Sequence, residues 1–120
     1  MPDFSLVILY VDDPAASAVF YASLLGSQPI EQSPTFAMFP LTSGAALGLW
    51  SRHTVEPKAA AGGGGTEVAF VAADVDAVYA DWQARGLIIA QAPVDLDFGR
   101  TFVALDPDGH RIRVFAPAPP

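Results

Sequence analysis

The sequence predicts an α+β fold built from two copies of a β–α–β–β–β unit, and three observations carry that expectation. Two helix starts, at Asp13-Pro14 and at Asp74, stand 61 residues apart, and the glycines that stop those helices, Gly26 and Gly86, stand 60 apart. Each helix is preceded by one short apolar run and followed by three short runs of strand-forming residues. Between the copies lies Lys58-Ala-Ala-Ala-Gly62-Gly-Gly-Gly65, a stretch with no side chains to pack, which reads as a flexible linker. One repeat of about 50 residues is marginal alone, so the halves are expected to share a single domain. That domain covers residues 1–120, with module 1 over about 1–52, the linker over about 53–65 and module 2 over about 66–116.

The elements follow in order. Residues 4–11 are short, apolar and rich in Val, Ile, Leu and Tyr, as in a buried strand. Asp13 can cap free amides and Pro14 needs no hydrogen bond at the first helical position, so a helix starts there, with Ala16, Val19, Phe20 and Leu24 as its apolar stripe. Strands are expected over 29–32, 35–41 and 45–52, the last two joined by a turn at Ser43-Gly44. In the second copy a strand over 67–72 leads to a helix with the stripe Val75, Val78, Tyr79 and Trp82. Strands over 87–91, 101–105 and 111–116 follow, and Asp106-Pro-Asp-Gly109 makes the last hairpin turn. The Ala/Pro tail over 117–120 is expected to fray.

Composition excludes several classes of function. Hydrophobic residues are 52% of the chain, ample for a core, and charged residues only 16%, so no disordered acidic tail underlies the net charge of −7. With 13 acidic against 6 basic side chains, nothing can neutralise a run of phosphates, which argues against a nucleic-acid partner. The absence of cysteine removes disulfides, zinc ribbons, iron–sulfur clusters and thiol nucleophiles, and two histidines, His53 and His110, cannot make a three-histidine site. Met1-Pro2-Asp3 lacks the basic start of a targeting segment, and the apolar run over 6–11 is too short to span a bilayer. A cytoplasmic protein with no membrane partner is the expectation.

Three motifs in this order give the chain a resemblance to the vicinal oxygen chelate superfamily, which holds glyoxalase I, extradiol dioxygenases and bleomycin-binding resistance proteins. They are Tyr10-Val-Asp-Asp-Pro-Ala-Ala-Ser-Ala-Val-Phe-Tyr21 before Leu24-Leu-Gly26, then Glu67-Val-Ala-Phe70 before the second helix, then Asp106-Pro-Asp-Gly-His110 in the last hairpin. Asp97-Phe-Gly-Arg-Thr-Phe102 together with Leu47-Gly-Leu-Trp50 further resembles the metal-free members that bind planar antibiotics such as phenazines. The resemblance implies two βαβββ modules whose mixed sheets curl around a cleft, usually in a homodimer. It also implies metal ligands in the enzymes of the family. Carried over by motif offset, those positions hold Leu6, Glu67 and Arg113, with Gly48 where some members have a fourth. Leu and Gly offer no side-chain donor and Arg repels a cation, so no metal and no other cofactor is expected.

Strand alternation identifies the neighbours of those positions on the same face. They include Tyr10 beside Leu6, Trp50 beside Gly48, Arg111 and Phe115 beside Arg113, and, across the hairpins, Phe36, Met38, Thr101 and Val103. This set is apolar and aromatic with few polar handles, as in a small-molecule pocket. Trp50 next to side-chain-free Gly48 is expected to form a flat platform with open space beside it. Stacking a planar ring there adds roughly 0.5–1.5 kcal/mol beyond burial. Trp50 also reads as a core or dimer contact; Arg113 could pair bidentately with a ligand carboxylate and Glu67 receive a ligand amine, or the two could neutralise each other across the cleft. His110 reads as a local hairpin partner and His53 as exposed. Asp95 and Asp97, flanking Phe98 in a loop over 95–99, could hold Arg100 or cover the cleft mouth.

The expected function is metal-independent binding and sequestration of a small planar aromatic compound by a homodimer. The alternative is a metal-independent lyase or isomerase with Glu67 as general base, its pKa raised by an apolar cleft.

Overall fold

Asp13 and Asp74 start the two helices as their side chains predict. In the computed structural model, Asp13 Oδ1 accepts from the amides of Ala15 at 3.0 Å and Ala16 at 3.4 Å, and Asp74 Oδ1 accepts from Ala77 N at 3.0 Å. Residues 3–60 and 62–119 are described. The targeting reading at Met1-Pro2, Ala61 of the linker and Pro120 of the tail lie outside them. The chain divides into two compact units between Gly62 and Gly63.

In the first unit, β1 (Leu6–Val11) is followed by α1 (Pro14–Leu25), β2 (Glu31–Gln32), β3 (Phe36–Pro40) and β4 (Ala46–Ser51). The sheet order is β1-β4-β3-β2, with β1 parallel to β4 and the other pairs antiparallel. Alternation sorts the side chains cleanly. Leu9, Val11, Ala37, Phe39, Leu47 and Leu49 are buried on the face that packs α1, and their neighbours in sequence face the other way.

The helix stripe differs from the expected one. Pro14, Ser17, Ala18 and Tyr21 are buried, whereas Val19 is 73% exposed. Nearly every residue of this helix is apolar or small, so its composition does not single out one face, and Tyr21, with no exposure at all, takes the core position.

The second unit repeats the order with β5 (Glu67–Val71), α2 (Val75–Ala84), β6 (Ile88–Leu96), β7 (Gly99–Leu105) and β8 (Arg111–Pro117), in a sheet ordered β5-β8-β7-β6. Here the stripe matches. Trp82 and Tyr79 meet the Phe102 ring edge-on, with centroids 5.5 and 5.4 Å away, over buried Ile112 and Val114. Arg100 joins α2 to the sheet, donating from Nε to Asp76 Oδ2 at 2.7 Å and from Nη1 to Asp95 Oδ1 at 3.1 Å.

Strand β6 runs past the expected end at 91 to Leu96. β6 is an edge strand, and register shifts at Ile89/Gln91 and Gln91/Val94 accommodate Pro93, which cannot donate a hydrogen bond. The expected loop over 95–99 therefore shrinks to a turn at Asp97 and Phe98. The Asp106–Gly109 turn forms as read: Asp106 Oδ1 accepts from the amides of Asp108 and His110 at 2.9 and 2.8 Å.

The stretch over 53–65 is not uniformly free of packing. Val55 is buried, its amide bonded to the Ser51 carbonyl at 3.0 Å. Gly63 lies against the carbonyl of Asp108 and the Gly109–His110 peptide so closely that a Cβ would stand 2.7 Å from His110 N. Among the described residues no helix is long and apolar enough to cross a membrane.

Candidate functional site

Each sheet keeps one face away from its helix, and the sequence-predicted site residues all lie on those two faces. Leu6, Tyr10, Phe36, Met38, Gly48 and Trp50 share the helix-free face of the first sheet, where the register pairs Tyr10 and Phe36 with Trp50, and Ile8 and Met38 with Gly48. Glu67, Thr101, Val103, Arg113 and Phe115 share that of the second, where Thr101 pairs with Phe115 and Val103 with Arg113.

The first face is apolar and aromatic. Phe36 meets Trp50 edge-on at 6.2 Å and 88°, which leaves the planes of the two rings at right angles. The open space expected beside Gly48 is filled. A Cβ at Gly48 would lie 3.1 Å from Phe36 Cζ, 3.2 Å from Leu6 Cδ1 and 3.3 Å from Ile8 Cγ1. Missing volume in a sheet face is taken up by flexible neighbours, so Gly48 seats the Phe36 ring rather than a ligand.

The second face is built around a fork. Arg113 donates from Nε to Glu67 Oε1 at 2.7 Å and from Nη2 to Oε2 at 2.9 Å, a bidentate pair between adjacent strands. Its Nη1 donates to Thr101 Oγ1 at 3.1 Å, and Thr101 in turn donates to the Val114 carbonyl at 2.9 Å. The guanidinium carbon lies 5.7 Å from the centroid of Phe98, which is itself edge-on to Phe115 at 6.0 Å. Arg111 Nη1 approaches the same carboxylate, 3.8 Å from Glu67 Oε2. The Arg113 hydrogen bonds hold the Glu67 carboxyl below its ordinary range against the opposing effect of desolvation, and the Glu67 carboxylate raises Arg113 in return. The upward shift expected of a Glu67 general base is thereby reversed: the fork, not the apolar surround, dominates.

Phe98 stands at the fork although the sequence reading did not put it in the site. Phe98 was assigned to a loop, yet the two-residue turn between β6 and β7 sets its ring over Arg113; Asp-Phe-Gly at a tight hairpin was the signal available. His53 is exposed as read but paired, its Nε2 2.7 Å from Asp12 Oδ1, which Arg52 also reaches at 3.1 Å. His110 is buried, its amide bonded within the hairpin.

The donor set does not fit a divalent ion. Leu6 and Gly48 have no side-chain donor, Arg113 is a cation, and both Glu67 oxygens accept from that cation. Among the described residues no three His, Cys, Asp or Glu side chains gather as metal ligands.

Comparison with known proteins places this geometry in context. The sequence profile of the Glyoxalase/Bleomycin resistance protein/Dioxygenase superfamily matches residues 4–114. The phenazine antibiotic resistance protein EhpR of Enterobacter agglomerans is 30% identical over 116 residues, covering 92% of this chain and 88% of that one. The solution NMR structure of protein ATC0852 from Agrobacterium tumefaciens matches with a TM-score of 0.90 at 52% identity, over 99% of this chain and 100% of the other. A glyoxalase/bleomycin resistance protein/dioxygenase from Nocardioides matches with a TM-score of 0.81 at 28% identity, over 98% of this chain and 84% of its own.

Proposed function

The chain belongs to the glyoxalase/bleomycin resistance protein/dioxygenase superfamily, and from that premise we propose that it is a metal-independent binding protein that sequesters a small planar aromatic compound. The observation that carries this reading is the helix-free face of the first sheet. Trp50, Phe36 and Tyr10 stand there among aliphatic side chains, and β1, β3 and β4 contain no charged residue, while the carboxylate of Glu31 lies on the edge strand β2 opposite Met38. Its centre offers dispersion and stacking contacts, which suits a flat apolar ring. Similarity to a phenazine resistance protein supports the same ligand class. Sequestration needs affinity alone. A lyase or isomerase relying on Glu67 needs a carboxyl pushed upward, and the Arg113 fork holds it down.

In this reading the chain also pairs with itself, and exposed apolar side chains such as Phe4 and Ile88 supply surface for a second copy to cover. Sedimentation equilibrium that finds only a monomer overturns that part.

The test of binding is a phenazine titration followed by tryptophan fluorescence. Trp82, on α2, is buried against Phe102 and Trp50 is only half-buried, so Trp50 is expected to be quenched saturably above a constant Trp82 signal. Trp50→Ala abolishes the quenching, and the phenazine is recovered unchanged. Quenching that survives Trp50→Ala, or no quenching by phenazine at all, overturns the proposal.

A further inference from the structure

The helix-free face of the second sheet differs in kind from the first because it carries charge, and the charge is unbalanced. Elsewhere the arginines meet carboxylates of their own: Arg52 meets Asp12, Arg85 meets Asp81, and Arg100 meets both Asp76 and Asp95. On β5 and β8 the ratio inverts, and Arg111 and Arg113 share the single carboxylate of Glu67. In a chain of net charge −7, this cluster of two arginines and one glutamate is formally positive.

We propose that this cluster recognises the anionic group, a carboxylate or sulfonate, of an aromatic small molecule, with Arg113 as the fork that binds it and Glu67 as the resident carboxylate it replaces. The proposal rests on residues of the second unit and not on the Trp50 face.

Three features support the exchange. Arg113 does not depend on Glu67 for its position, because Thr101 Oγ1 takes its Nη1 and the Phe98 ring lies beside its guanidinium. A planar carboxylate arriving at Nε and Nη2 therefore meets a fork already in place, which limits the cost of ordering on binding. Glu67 does not become an unpaired charge when displaced, since Arg111 already stands 3.8 Å from Oε2 and its side chain is 53% exposed and free to follow. Finally, Phe98 and Phe115 form an edge-to-face wall next to the fork, so a ring attached to the anion finds aromatic surface without leaving the cluster.

Isothermal titration calorimetry with three matched probes, a naphthoate, naphthalene and a naphthylmethylammonium, tests this. The naphthoate is expected to bind about tenfold more tightly than either other probe at low salt, the size of one added charge-assisted contact, and to lose much of that margin as salt rises. Arg111→Gln narrows the margin. Arg113→Lys keeps the charge and the fold but loses the fork, and it removes most of the margin. Glu67→Gln tightens naphthoate binding severalfold, because the competing carboxylate is gone; a purely structural role for Glu67 has no such effect. Equal binding of the three probes, preference for the cation, or a Glu67→Gln variant that weakens naphthoate binding overturns the proposal. If naphthalene binds without any preference for the anion, only this inference fails. If neither binds, it fails together with the aromatic reading above.

Discussion

Thr101 and Arg113 share a hydrogen bond that ties the charge cluster to the backbone of the sheet. The hydroxyl, fully buried, accepts from Arg113 Nη1 at 3.1 Å and donates to the carbonyl of Val114 at 2.9 Å. Thr101→Val keeps the shape and removes both contacts, leaving a half-buried guanidinium nitrogen without its acceptor. The expected cost is about 1–2 kcal/mol of unfolding free energy in urea titrations. Thr101→Ser keeps the hydroxyl and recovers most of that loss. Equal costs for the two variants place the contribution in methyl packing and contradict the hydrogen-bond account.

The fork also gives stability a definite pH dependence. The folded-state pKa of Glu67 is depressed, chiefly by the Arg113 hydrogen bonds. A depressed carboxyl contributes stability that is present above its unfolded value, about 4.3, and that is lost as pH falls through the folded value. Glu67→Gln lacks this contribution at every pH. The Glu67 side chain is 33% exposed, so solvent screening holds the difference between wild type and variant to about 1 kcal/mol at neutral pH. That difference shrinks as the pH is lowered from about 5 toward 3. Asp12 and Asp76 are depressed in the same direction by their own partners but are common to both proteins and cancel. A gap between the two proteins that is as wide at pH 3 as at pH 7 rules out the fork as its source.

The architecture was legible because local signals and the repeat agreed. Asp13 and Asp74 cap the helices, Gly26 ends the first helix in the left-handed conformation at φ 66°, and alternation put Leu6, Tyr10, Gly48 and Trp50 on one sheet face and Glu67, Thr101, Arg113 and Phe115 on another. Two readings failed for the same reason, that a local rule has exceptions visible only in three dimensions. A bulged edge strand tolerates a proline such as Pro93 and so outruns the strand read over 87–91, and a helix made almost wholly of apolar residues does not announce which of them is buried.

The site was legible as a set of faces more than as a set of contacts. Offset counting put Glu67 and Arg113 on one side of the second sheet and allowed them to neutralise each other; the structure adds that the pair is bidentate. That pairing reverses the expected direction of the Glu67 shift. The emptiness inferred at Gly48 was a statement about one residue, while space in a sheet depends on its neighbours, and Phe36, Leu6 and Ile8 fill it. The place of Phe98 depends on the length of β6, which runs to Leu96 and not to the expected end at Gln91.

The glycine run offers a sharp test of what a sequence of small residues hides. Gly63 and Gly65 look equivalent in Gly62-Gly-Gly-Gly65, yet their surroundings differ. A Cβ at Gly63 would run into the Asp108 carbonyl and stand 2.7 Å from both Gly109 C and His110 N, all backbone atoms of a hairpin turn fixed by Asp106. At Gly65 nothing lies within 4 Å, and its φ is not in the left-handed region. Gly63→Ala is therefore expected to destabilise the protein by about 1–3 kcal/mol, since backbone cannot move aside as a side-chain tip can. Gly65→Ala should leave stability within about 0.5 kcal/mol or raise it slightly by stiffening the unfolded chain. Thermal and urea unfolding of the two variants decide the matter. If both are neutral, the whole run is a passive tether and the contact between Gly63 and the last hairpin contributes nothing to the fold.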